Sequence, residues 1–90
     1  MEMVFSIREI FRLLPSALEG RAHRVKGSEI VVEEGDGTIQ ITLAEERTRR
    51  LGPFLETPVT DVLIRFDGIS AATAEAFLTR FRLHYQRGGG

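Results

Sequence analysis

The stretch from Glu29 to Leu43, EIVVEEGDGTIQITL, constrains the fold most, because two runs of β-branched residues flank a Gly-Asp-Gly segment. An Asp-Gly pair between alternating apolar residues is typical of a two-residue hairpin turn. If Asp36 and Gly37 form this turn, the facing pairs on the apolar side are Val32 with Ile41 and Ile30 with Leu43. The sequence therefore predicts a hairpin with one apolar face, which the rest of the chain must cover.

A third strand precedes this hairpin. Residues 21–26 are predicted to be extended, and Gly27-Ser28 suits a second tight turn that joins them to the strand 29–34. In this register Val25 faces Ile30, His23 faces Val32, Arg21 faces Glu34 and Lys26 pairs with Glu29. One apolar pair, Val25 with Ile30, and two pairs of opposite charge support it. We expect a three-stranded meander over 21–26, 29–34 and 38–43.

A helix is predicted near the start of the chain. Ser6 and Glu9 have the spacing of a capping box, and apolar residues then recur at helical intervals. Pro15 predicts a kink or a break in this helix, because proline has no N–H to donate and disfavours helical angles in the residue before it. We expect the helix to end near Gly20.

The segment after Leu43, AEERTRR, is polar and is predicted to form a short exposed helix that ends at Gly52-Pro53. Phe54 and Leu55 are expected to fold back onto the core. A last strand is predicted over 59–66, and because it is the most apolar strand it is expected to be interior to the sheet.

Ser70 is predicted to cap a final helix whose apolar face closes the core and consists of Ala74, Phe77, Leu78, Phe81 and Tyr85. The fold class is therefore α+β, a two-layer sandwich with a mainly antiparallel four-stranded sheet and helices on one face, in the order α-β-β-β-(short α)-β-α. We expect one domain over residues 1–87 and a disordered glycine tail over 88–90.

Composition excludes several functions. The chain has no cysteine, so disulfides and thiolate chemistry are excluded, and its net charge of −1 creates no overall field for a polyanion. We find no cofactor or metal motif, no membrane span and no leader, and expect a cytoplasmic protein. The absence of Asn, Trp and Cys suits a thermophilic bacterium.

The titratable residues suggest no catalytic centre. His23 is predicted on the inner face of its strand as a partly buried, structural ring, and His84 lies near the end of the last helix, where a positive ring is favoured anyway. Asp61 and Asp67 share one face of the last strand with Arg65, which favours a solvated ion pair over catalysis. We therefore expect no enzyme, and an enzyme built on His23 is left as the third hypothesis.

Two arginine clusters make weak nucleic-acid binding the second hypothesis. Arg47, Arg49 and Arg50 are candidate anion-binding residues, and Arg80, Arg82 and Arg87 form the second cluster. The element order resembles the double-stranded-RNA-binding domain in outline, but that family opens its second helix with a lysine-rich motif where this chain reads ISAATAEAF. The alternative for the first cluster is pairing with the six acids of residues 28–46.

The leading hypothesis is an interaction domain. Ala72, Ala76 and Leu83 share the back of the last helix, where a wholly solvent-facing surface would be charged. These three residues are the candidate interface of a homo-oligomer or a complex with a protein partner. We therefore predict a small non-enzymatic domain that self-associates or binds a protein partner.

Overall fold

The computed structural model describes residues 1–89, with side chains up to residue 86. The chain is α+β, as predicted, but it has six strands instead of four. In chain order the elements are β1 (Glu2–Met3), α1 (Ile7–Ala17), β2 (His23–Lys26), β3 (Glu29–Glu34), β4 (Gly37–Leu43), β5 (Arg47–Gly52), β6 (Leu55–Asp67) and α2 (Ala71–Gly89). Gly90 lies outside the described residues, and the disordered tail stays a prediction.

The sheet is antiparallel throughout, with strand order β1-β6-β4-β3-β2 and with β5 paired to β6. The predicted interior position of the last strand is confirmed, since β6 pairs with β1, β4 and β5 along its 13 residues. β4 covers residues 62–67 of β6, and β5 covers residues 55–59. Between them, residues 44–46 lie against residues 60–61, an unequal count typical of a β-bulge.

The hairpin between β3 and β4 is present, but its predicted register is wrong by two residues. Val32 faces Ile39 and Ile30 faces Ile41, which places Gly35 and Asp36 in the turn, with Gly35 at φ 58°. Gly37 instead begins β4. Because the shift is an even number of residues, the predicted apolar face is unchanged.

The hairpin between β2 and β3 has the predicted register in its strand pairs, His23 with Val32, Val25 with Ile30 and Lys26 with Glu29. Arg21 lies before the strand, yet its guanidinium still pairs with Glu34 at 3.2 Å. β2 is the edge strand of the sheet, all four of its residues are exposed, and Val25 is 50% exposed.

Helix α1 begins as predicted, with the Glu9 N–H donating to the Ser6 hydroxyl at 3.1 Å. The helix has no break at Pro15 and continues to Ala17, because this proline falls in the last turn and removes only one late hydrogen bond. Glu19 and Gly20, with φ of 52° and 80°, end it where a stop was predicted.

The short helix predicted after Leu43 is wrong, because residues 47–52 form β5 and pair with β6. Phe54 and Leu55 do not fold back onto the core; they are 100% and 59% exposed. The last strand begins at Leu55 instead of residue 59, so Pro58 lies inside β6, opposite Thr48. We call this hairpin, residues 47–59, the arm. Every residue of β5 except the last, Gly52, is exposed. The arm therefore extends past the two-layer core, consistent with a longest dimension of 49 Å.

The two helices and the sheet share one core. The Phe77, Phe81 and Tyr85 side chains of α2 are buried as predicted, against Ile10 and Leu14 of α1 and the apolar face of the sheet. The Tyr85 hydroxyl donates to the Ile10 carbonyl at 2.7 Å. This hydrogen bond ties the two helices together inside the core, and burial raises the pKa of Tyr85.

Candidate functional site

His23 is exposed on edge strand β2, so the partly buried position expected for it is wrong. Its Nδ1 lies 3.0 Å from the Arg21 carbonyl oxygen. Lys26 and Arg24 are its charged neighbours along the strand. No carboxylate forms a hydrogen bond or an ion pair with this ring among the described residues.

His84 belongs to an ion cluster that joins the two helices. Its Nε2 lies 3.0 Å from Glu19 Oε2, to which Arg80 also donates from Nη2 at 2.6 Å and from Nε at 3.0 Å. These hydrogen bonds, from Arg80 first and then His84, lower the pKa of Glu19 to about 2. The cluster fixes the end of α1 against α2, which is a structural task.

Asp61 and Asp67 lie on the outer face of β6 together with Arg65, as predicted. The ion pair of Asp61 is made with Arg47, at 2.6 Å, and no ion pair joins either aspartate to Arg65 among the described residues. The ion pair on the outer face is therefore formed across strands, between exposed side chains.

The first arginine cluster lies along the arm. Arg47 pairs with Glu2 at 2.7 Å and with Asp61 at 2.6 Å, and Arg49 also pairs with Glu2. The hydrogen bond to Asp61 is the main reason that the pKa of Arg47 is raised. The expected alternative, pairing with the acids of residues 28–46, is wrong because β1 and β6 bring other carboxylates to these side chains. Arg50 donates to the Pro53 carbonyl at 3.3 Å.

The second arginine cluster does not join the first. Arg80 is engaged by Glu19, and Arg82 is exposed near the N-terminal strand. The side chain of Arg87 lies outside the described part of the chain. The arm itself carries three arginines and one acid, Glu56. Two of the arginines, Arg47 and Arg49, are paired with carboxylates outside the arm.

The largest concentration of exposed apolar side chains is at the arm tip, formed by Leu51, Phe54 and Leu55. Their exposed fractions are 56%, 100% and 59%. Sequence reasoning missed this surface because it assigned residues 44–50 to a helix. The signal that could have revealed it is Gly52-Pro53, a turn dipeptide placed between Leu51 and Phe54.

The candidate interface on α2 has the predicted arrangement along the helix. Ala72 and Ala76 are exposed, and Leu83 is half-buried. As an interface it stays a prediction, and its apolar side chains are smaller and less exposed than those of the arm tip.

A groove lies at the base of the arm, lined by residues 1–5 together with Arg82, Tyr85 and Gln86. Its volume is about 380 Å³. Its position follows from strand pairing, since Glu2 and Met3 face Asp61 and Thr60, the two residues of β6 that directly follow the arm. Val4, which is 52% exposed, continues the apolar surface of this groove toward solvent. We call it the base groove.

Within the described residues 1–89, no three His, Asp or Glu side chains are grouped so that they could hold a metal ion. No helix in that part of the chain combines the length and the apolar character needed to cross a membrane. No family model, curated protein or solved structure matches this chain.

Proposed function

We propose that this chain is a non-enzymatic interaction domain and that it binds another protein chain through the arm tip. The observation that carries the proposal is the complete exposure of Phe54 between two further exposed apolar residues, Leu51 and Leu55. Apolar clusters of this kind on a small domain mark contact surfaces.

The apolar character of the tip has no role in the fold. None of its three side chains belongs to the core, and hairpin turns are normally formed from polar residues, Gly and Pro. Burying an exposed Phe or Leu is worth about 1.5–3 kcal/mol, and aromatic residues are frequent among those that dominate binding energy. The tip therefore gains its stabilisation from a partner.

The back of α2 is the weaker of the two candidate surfaces. Ala72 and Ala76 offer little area, and Leu83 is already half-buried. We propose that this surface forms at most the edge of an interface whose centre is the arm tip.

The test is photo-crosslinking from position 54 in the cells that naturally produce the chain. A photoreactive phenylalanine analogue replaces Phe54, and a matched variant carries it at Leu63, an equally apolar residue that is 68% exposed on the outer face of the sheet. We expect position 54 to yield one defined protein partner, identified by mass spectrometry, and position 63 to yield none. The proposal would be overturned by equal yields of crosslinked protein at the two positions, or by no crosslinked protein at either.

Weak nucleic-acid binding is the second candidate, supported by the presence of Arg50 and Phe54 on one projecting hairpin. β-ribbons can enter a groove of DNA, and apolar side chains can insert between base steps. The pairing of Arg47 and Arg49 with Glu2 and Asp61 disfavours it, because phosphate contacts supply most of such affinity. If the protein is not retained on a polyanion column, nucleic-acid binding is excluded. Salt-sensitive retention that is lost when Arg47, Arg49 and Arg50 become Ala supports it.

A further inference from the structure

We infer that the partner of the arm is a second copy of this chain, and that the two copies exchange arms about a two-fold axis. Each arm tip then lies in the base groove of the other copy. The inference rests on the proposed function, since it names the chain that the tip binds.

The positions of the tip and the groove make this exchange geometrically simple. The base groove adjoins Thr60 and Asp61 of β6, whereas the tip begins at Leu55, so the two surfaces lie at opposite ends of one arm. Leu55 and Thr60 are five residue steps apart along β6, about 17 Å at 3.3–3.4 Å per residue. A two-fold axis through the middle of two antiparallel arms brings each tip to the base of the other arm. Such a contact is closed, because the same surfaces are used in both copies.

The two surfaces are chemically complementary. The tip presents Leu51, Phe54 and Leu55, and the groove presents the exposed Val4 and the half-buried Phe5. The buried Met3 and Tyr85 line it beneath them. The groove volume of about 380 Å³ is sufficient for an aromatic side chain with an apolar neighbour. Val4 is exposed in the single chain and becomes covered when the tip of the second copy occupies the groove.

Charge also favours this arrangement. Glu56 lies near the tip, opposite Arg50 of β5, and Arg82 lies at the rim of the base groove on α2. Neither residue forms an ion pair with another described side chain of its own chain. Seating the tip in the groove brings Glu56 of one copy to Arg82 of the other.

A dimer formed through the open edges of two β5 strands is disfavoured by the arginines of β5 itself. Antiparallel pairing of that strand with itself places Arg49 opposite Arg49 or Arg50 of the other copy, and like charges across two strands are destabilising. The arm therefore contacts the second copy through its tip and not through its edge.

Solution mass by light scattering, over a range from micromolar to millimolar chain, tests the inference. The variants are Glu56→Arg, Arg82→Glu and the double variant, with Glu33→Arg as the matched control because Glu33 is an exposed acid on the outer face of β3. We expect a native dimer, a dissociation constant raised about tenfold or more by each single reversal, and recovery in the double variant. The control is expected to behave as the native chain, and circular dichroism is expected to show that all four variants remain folded.

Two results would overturn the inference. One is a native chain that remains monomeric at every concentration. The other is a dimer whose affinity responds equally to the control and to the charge reversals, or whose double variant shows no recovery. The proposed function fails separately, through the crosslinking result at position 54. If that position crosslinks to a different protein while the chain is monomeric, the inference falls and the proposed function stands.

Discussion

Replacing Gly37 with Ala is expected to destabilise the fold by about 3 kcal/mol, at the upper end of the range for overpacked sites. A Cβ added to Gly37 would lie 2.6 Å from the carbonyl oxygens of Asp67 and Gly68 and 2.7 Å from Cγ1 of Ile69. Two of these three atoms belong to the backbone, so the β6–α2 connection must move for the methyl group to fit. Gly37 is therefore required for close packing and not for the turn.

Gly35, two residues earlier, provides the internal comparison. A Cβ there meets nothing within 4 Å, but the residue has φ of 58°, which favours glycine. Gly35→Ala is expected to cost about 1 kcal/mol, and Gly35→Asn less, because asparagine tolerates the left-handed region. At Gly37, asparagine is expected to cost at least as much as alanine, since the obstacle there is space.

Thermal unfolding followed by circular dichroism measures both changes. A domain of this size loses about 4–8 °C in Tm for each kcal/mol, so we expect a fall of about 12–24 °C for Gly37→Ala and about 4–8 °C for Gly35→Ala. Two results would refute the assignment of the turn to Gly35 and Asp36. One is an equal fall in Tm for Gly37→Ala and Gly35→Ala, and the other is a smaller fall for Gly37→Asn than for Gly37→Ala.

Three further predictions concern the core, the ion cluster and the arm. Tyr85→Phe removes the buried hydrogen bond to Ile10 and is expected to cost about 1 kcal/mol in urea unfolding; no change would contradict the tie between the helices. The pKa of Glu19 is about 2 in the folded chain and 4.5 ordinarily, so the unfolded state binds more protons in this window and stability falls as pH drops from 4.5 to 2. Glu19→Gln is expected to flatten the dependence of stability on pH between 4.5 and 2. An unchanged slope would contradict the assignment of this dependence to the Glu19 ion cluster. Phe54→Ser is expected to change monomer stability by less than about 0.5 kcal/mol, because the ring is fully exposed; a larger loss would mean that Phe54 packs on its own chain.

The sequence could predict those elements whose signals are local. The N-cap at Ser6 and the apolar face of α2 depend on neighbouring residues, and both are confirmed. The other half of the capping box is not formed, because the Glu9 carboxylate accepts from Arg12. The register of β2 with β3 followed from opposite charges such as Lys26 and Glu29. The next hairpin was placed two residues away, because the role of Gly37 depends on the distant segment that follows β6.

The arm could not be predicted from the local pattern, because its strand β5 is polar and rich in arginine. Strand preference depends strongly on context, and here β6 supplies that context by extending beyond the end of β4. The ion-pair partners of Arg47 and Arg49 were missed for a related reason. Glu2 belongs to a strand of two residues, too short for any periodicity to indicate.

The position of the arm tip in the base groove is tested most directly by disulfide trapping, since the native chain contains no cysteine. Chains carrying Phe54→Cys are mixed with tagged chains carrying Val4→Cys and are oxidised briefly under mild conditions. The exchange predicts a mixed disulfide between positions 54 and 4 that forms faster than either like pair, 54 with 54 or 4 with 4. Faster formation of the 54–54 pair, or equal slow formation of all three, would contradict it.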